Sequence, residues 1–193
     1  MGNSKKAGEL SQTCKTYLET WYANDNEEIH SKYFAKGNTV ENELIDFMAE
    51  QLGYGMAQKN QEYKEDEWFT GTCDVVLNDA IVDVKAPWNR KTLLDSVASD
   101  IDTDYEYQLI GYCHLYNKPK GILFYGLMDT PSDIAYTDED VTYSHLPDNE
   151  RWTAFEVTYS EYKIKDIIQR VIQCREYLAN YESLIKSKLG KIN

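Results

Sequence analysis

Apolar residues recur along this chain with two different periods, and the switches between them outline its elements. Leu10, Cys14, Tyr17, Leu18 and Trp21 fall at helical spacing and predict a helix over residues 5–23. Residues 24–37 are polar and irregular, with Gly37 as punctuation, and read as a connection. Val40, Leu44, Phe47 and Met48 then stand at i, i+4, i+7 and i+8. That stripe predicts a second helix from Asn38, ended by Gly53 and Gly55.

The period changes to two in the middle of the chain. Residues 59–67 are charged and read as surface or edge strand, and residues 70–86 alternate as a β-hairpin around an Asn78-Asp79 turn. Pro87 stops the second strand. Residues 91–101 and 104–117 return to helical spacing. Residues 121–128 are apolar on both faces, as a buried central strand is. A loop-like segment at 129–150 follows, then a strand over 152–159, and a long helix from Ser160 closes the chain. This order predicts an α/β fold, with helices flanking a small mixed central β-sheet, in a single domain over residues 1–193.

Composition adds bounds rather than elements. The chain has 193 residues, enough for one domain with a true core. No stretch approaches the ~18–20 apolar residues of a membrane span, and the first residues lack the apolar run of a secretory signal. A cytoplasmic protein without membrane contact is the expectation. Cys14, Cys73, Cys113 and Cys174 are widely spaced, with no C-x-x-C pair, and read as reduced thiols. His30, His114 and His145 are isolated. The net charge is −13, and residues 129–150 contribute seven acids and no Lys or Arg. A basic footprint for nucleic acid would therefore have to be local.

The chemistry comes from the hairpin. With Asn78-Asp79 as the loop, Leu77 pairs with Ala80, Val75 with Val82 and Cys73 with Val84, giving one apolar face. On the other face Asp74 opposes Asp83, and Thr72 opposes Lys85. Directly opposed side chains have Cβ atoms about 4.5–5.5 Å apart, a destabilising spacing for two like charges. A proton or a cation between them removes the conflict, and a hard divalent ion takes one or two carboxylates plus water. Lys85, two residues beyond Asp83, shares its face and can position a water or balance charge on a phosphate. Glu41 has two readings: a helix-capping acid in Asn38-x-x-Glu41, or a third acid of the site. Gln108 and Tyr112 lie four apart on one helical face, either as packing or as reach toward a ligand.

These stretches resemble a known family. Lys36-Gly37-Asn38-Thr39-Val40-Glu41, Gly71-Thr72-Cys73-Asp74-Val75-Val76, Ile81-Val82-Asp83-Val84-Lys85 and Tyr107-Gln108-Leu109-Ile110-Gly111-Tyr112 stand in one order. Their G-x-x-x-E, D, (D/E)-x-K and Q-x-x-x-Y elements resemble the lambda exonuclease (YqaJ-like viral recombinase) group of the PD-(D/E)XK superfamily. The resemblance implies a restriction-endonuclease-like core and metal-dependent hydrolysis of DNA, chiefly at duplex ends in recombination or repair. It implies one or two Mg²⁺ or Mn²⁺ ions held by Asp74, Asp83, Glu41 and the Val84 carbonyl, with Lys85 catalytic and Gln108 orienting. Arg90, Lys91, Tyr112 and Lys118 are the expected nucleic-acid contacts. A homotrimer and a single-strand annealing protein as partner are implied by analogy with the lambda enzyme. The alternative is a catalytically idle relative that binds a protein or a nucleic-acid end, to which the acidic balance points.

Overall fold

The structure is a computed structural model that describes residues 9–24 and 31–190. The chain divides into two compact units, residues 1–29 with 165–193, and residues 30–164. Among the described residues no helix is long and apolar enough to cross a membrane.

The first unit pairs helix α1 (Gln12–Ala23) with most of helix α6 (Glu161–Lys188). Ser11 caps α1 by accepting the Cys14 amide at 3.2 Å, and Asn24 ends it in a left-handed turn. The helix therefore starts later than its apolar spacing predicts. The expected residues 5–8 lie outside the described residues. Tyr22 meets Tyr181 edge-on, Tyr177 donates to Glu19, and the thiols of Cys14 and Cys174 stand 3.8 Å apart.

The second unit is built on a four-stranded sheet, ordered β3 (Val75–Val76), β4 (Ile81–Lys85), β5 (Lys120–Gly126) and β6 (Trp152–Thr158). β4 and β5 are parallel and the two outer pairs antiparallel, so the sheet is mixed as expected. The parallel pair needs a crossover. Helices α3 (Arg90–Ala98) and α4 (Thr103–Tyr116) supply it. A separate ribbon joins β1 (Lys64–Glu65) to β2 (Thr70–Gly71).

Helix α2 (Lys32–Gln51) covers one face of the sheet. Its Val40, Leu44, Ile45, Phe47 and Met48 form a common core with Val75, Val82, Val84, Ile122, Phe124 and Met128. The intervening residues Ile81, Asp83 and Lys85 must point to the other face, because side chains alternate along a strand. α4 packs on that face. A Cβ at Gly121 would lie 3.0 Å from Ile81 and 3.1 Å from Leu109, so glycine there permits the close approach of helix to sheet.

Three sequence expectations change. α2 begins at Lys32, capped by Ser31, so Gly37 lies inside a helix and residues 32–37 are not a loop, while residues 25–30 of the expected connection lie outside the described residues. The 70–86 hairpin is not continuous: residues 70–71 leave β4 and pair with β1. The acidic segment is partly ordered, with a one-turn helix α5 (Ser132–Ala135) and a 3-10 turn (Asp148–Glu150). Asp129 folds this segment back by accepting the Tyr143 and Ser144 amides, and Asp140 accepts the Ser132 amide at 2.8 Å.

Candidate active site

The predicted register holds where it matters. Val75 pairs with Val82, Val76 with Ile81, and the Leu77 amide donates to the Ala80 carbonyl at 2.8 Å across the turn. One step further places Asp74 opposite Asp83. There the ladder ends in a substitution of partners. A continued hairpin would send the Val84 amide to the Cys73 carbonyl. Instead it donates to Asp74 Oδ2 at 2.7 Å, and the Cys73 carbonyl accepts from Asn60 Nδ2 at 3.1 Å. The carboxylate of Asp74 is thus pinned against β4 by a backbone amide. Amide and carbonyl of one strand residue point the same way, so the Val84 carbonyl faces the same gap. The expected pairs Cys73–Val84 and Thr72–Lys85 do not form, because the chain turns away to reach β1.

Asp83 is only 3 % exposed, and its Oδ2 is sealed from solvent. The Lys85 ammonium stands 2.6 Å from that oxygen, but off the line of a well-directed hydrogen bond. Burial raises the Asp83 pKa; Lys85 opposes this and the Glu41 charge adds to it, leaving the group above the usual carboxylate range. Asp74 is pushed up to about 6, first by burial and then by the charge of Asp83, against the pull of the Val84 amide and Lys85. For Lys85 burial works downward, but the charges of Asp83 and Asp74 outweigh it and keep the ammonium above its usual range. Its Nζ also lies 5.1 Å from the Tyr105 ring centre.

Helix α4 brings Gln108 and Tyr112 to this face. Gln108 Nε2 donates to the Tyr112 hydroxyl at 3.3 Å. Burial raises the Tyr112 pKa, the Gln108 bond lowers it, and the charges of Asp83 and Asp74 raise it further, so the phenol lies within reach of the acids. Gly71 makes room for it: a Cβ there would stand 2.8 Å from Tyr112 Cε1.

Glu41 lies ten residues into α2, not in its first turn, so it does not cap the helix. Its charge nevertheless reaches both aspartates. Its carboxylate meets Lys59 at 2.5 Å. Among the described residues no three acidic, His or Cys side chains converge closely enough to hold a metal ion by themselves.

The expected nucleic-acid contacts are dispersed. Arg90 pairs with Glu150 at 2.7 Å and Lys91 with Asp95 at 2.6 Å. Lys118 donates to the Asn78 carbonyl at the β3–β4 turn. That turn is the end of β4 away from Lys85, so the fold does not bring Lys118 to the carboxylates. Tyr112 is the one member of that set whose environment includes them.

Sequence reasoning gave no role to Lys36, Lys59 or Asn60. Lys36 is fully buried and donates to the Pro87 and Trp88 carbonyls at 2.8 and 3.2 Å, bracing the loop that follows Lys85. It shares a helical stripe with Val40 and Leu44, but the exposed Tyr33 and Phe34 beside it hide that stripe in the sequence. Asn60 donates its amide to the Asp74 carbonyl at 2.7 Å and its side chain to the Tyr116 hydroxyl at 3.0 Å. No sequence pattern marks Lys59 or Asn60.

A divalent cation suits the chemistry of this set. The buried Asp83 oxygen lacks a well-directed donor, and Asp74 beside it has a raised pKa, so both carboxylates gain from a cation. Two carboxylates, a backbone carbonyl and water form the oxygen environment that Mg²⁺ or Mn²⁺ takes.

No protein-family model matches the chain, and no curated protein matches it. Solved structures do. A phage-related exonuclease from Haemophilus somnus 129PT superposes with a TM-score of 0.78 at 23% identity, over 95% of this chain and 91% of that one. An alkaline exonuclease from Laribacter hongkongensis gives a TM-score of 0.64 at 13% identity, over 92% and 84% of the two chains. Its complex with dAMP gives 0.62 at 13% identity, over 90% and 82%. The chain therefore has the fold of these exonucleases, a small mixed sheet flanked by helices.

Proposed function

We propose that the protein is a divalent-metal-dependent deoxyribonuclease of the PD-(D/E)XK type, acting on the ends of duplex DNA. The observation that carries this reading is the meeting of Asp74, Asp83 and Lys85 on one face of the sheet. Asp74 is fixed by the Val84 amide, and Asp83 is buried against Lys85. The fold shared with two exonucleases, one crystallised with dAMP, supports it.

In this reading Asp74, Asp83 and the Val84 carbonyl hold the cation, with Glu41 contributing from α2. When bound, the cation supplies Lewis acidity to the scissile phosphate and lowers the pKa of water. The protein's own groups do the rest. The Lys85 ammonium offers hydrogen bonds to the attacking water and positive charge to the phosphate. Gln108 and Tyr112, joined to each other, orient the substrate over the acids. The β4 backbone keeps Asp83 and Lys85 at a fixed two-residue spacing, so reorganisation during reaction is small.

The test uses end-labelled linear duplex and covalently closed circular duplex of the same sequence, each with Mg²⁺ and with EDTA. Release of mononucleotides from linear DNA alone, and only with Mg²⁺, is the expected result. Cleavage of closed circles would replace end action by endonuclease action, and inertness toward both would overturn the nuclease reading.

A further inference from the structure

The dipeptide Lys59-Asn60 touches both of the outer acids of the site. The backbone of Lys59 bridges Val75, next to Asp74, and its ammonium holds Glu41 Oε2 at 2.5 Å. Asn60 donates to the Asp74 carbonyl and, through its side chain, to the Cys73 carbonyl. Glu41 is near enough for its charge to act on Asp74 and Asp83, yet its carboxylate is turned onto Lys59 instead of joining them.

This pairing answers a problem of charge. Three carboxylates brought together without a cation repel one another, and a third anion aimed into the gap would be the costliest. A lysine at the rim removes that conflict while leaving the acid in reach. The Lys59 and Glu41 side chains are 43 % and 20 % exposed, so the pair is partly solvated. Such pairs are weak and exchange readily. A hard divalent ion or its bound water offers Glu41 a stronger partner than a solvated ammonium.

We propose that Lys59 is a positioning residue that competes with the divalent cation for Glu41, holding this carboxylate aside until the metal site fills. The inference rests on the metal-dependent reading given above. The lysine is then an internal counter-ion, and metal loading exchanges one cation for another at Glu41. Its removal raises metal affinity instead of lowering it, the opposite of what loss of a structural contact would do.

The experiment measures Mn²⁺ binding to the full-length protein without DNA, from the loss of the free Mn²⁺ electron paramagnetic resonance signal. Wild type, K59M, K59R, E41Q and the double variant E41Q/K59M are compared, with K59Q as a second neutral variant and circular dichroism to confirm folding. K59M and K59Q are expected to bind Mn²⁺ about two- to fivefold more tightly than wild type, the range set by a solvated ion pair. K59R should bind as wild type does. In the E41Q background the K59M change should have no effect on affinity.

Unchanged or weaker binding by both neutral variants overturns the proposal. So does an equal gain in the E41Q background, which would assign Lys59 a general charge effect without Glu41. Failure of the wild type to bind Mn²⁺ overturns the metal-dependent reading itself, and the proposal with it.

Discussion

Replacing Asp74 by Asn should make the metal-free protein more stable at alkaline pH. Its carboxyl is pushed up to about 6 from an ordinary 3.8, first by burial and then by Asp83. An acid whose folded pKa is raised costs stability wherever it is ionised in the unfolded chain. The cost is absent below the unfolded value, grows between 3.8 and about 6, and is full above that. Two pKa units and a little more, at about 1.4 kcal/mol each, give about 3 kcal/mol at pH 8. Asn keeps an oxygen for the Val84 amide but loses the charge assistance of that bond, about 1 kcal/mol. The net gain is about 2 kcal/mol, which for a chain of this size is on the order of 4–8 °C in melting midpoint. Near pH 4.5 the ionisation cost falls to about 1 kcal/mol, and the advantage of the variant should vanish. Thermal melts followed by circular dichroism in EDTA at the two pH values give the comparison. Addition of Mg²⁺ at pH 8 should then stabilise wild type and leave D74N unmoved. A variant no more stable than wild type at pH 8, or an advantage that does not shrink on acidification, would refute the reasoning.

Other substitutions separate the supporting parts. Asn60→Ala removes the side-chain bonds to Cys73 and Tyr116 and should cost about 1–3 kcal/mol in urea unfolding, with weaker Mn²⁺ binding because the Cys73 carbonyl next to Asp74 loses its donor, although the backbone bond to the Asp74 carbonyl stays. Gly71→Ala places a Cβ against the Tyr112 ring and should lower nuclease rate by moving the phenol, while Gly71→Ala with Tyr112→Leu should regain stability. Lys36 is lowered to about 8 by burial, with Asp129 opposing. For a base with a depressed folded pKa the cost of its charge is full below 8 and is relieved as pH rises toward 10.5. The wild-type stability relative to Lys36→Met should therefore increase by up to about 3 kcal/mol across that window, read from paired denaturant titrations.

The sequence revealed most where geometry is local. The Asn78-Asp79 turn fixes the register, and the register sets Asp74 against Asp83 with Lys85 on their face. β5 was legible because a strand buried on both sides carries an unbroken apolar run. Long-range exchanges of partner were not legible. Nothing in residues 70–74 announces that the Val84 amide will be taken by a side chain, or that Gly71 will pair with Lys64. The start of α2 was missed because residues 32–37 carry exposed Tyr33 and Phe34 beside a buried Lys36, an inverted pattern that hides the helical stripe. Glu41 consequently looked like a first-turn acid, when the helix had already run for two turns. The fold does not gather Arg90, Lys91 and Lys118 beside the carboxylates: Arg90 pairs with Glu150, Lys91 with Asp95, and Lys118 bonds the Asn78 carbonyl. Lys91 and Asp95 stand four apart on one helix, a pairing that spacing shows, whereas the partners of Arg90 and Lys118 lie 60 and 40 residues away and spacing does not show them.

The central claim is that Asp83 belongs to a metal-dependent nuclease centre, and one assay addresses it most directly. Wild type and D83N, matched by circular dichroism, are incubated with end-labelled linear duplex DNA over a Mg²⁺ titration. Wild type should release nucleotides in proportion to Mg²⁺ occupancy and stop in EDTA, while D83N should show no release at any Mg²⁺ concentration. Undiminished degradation by folded D83N, or wild-type degradation that persists in EDTA, would contradict it.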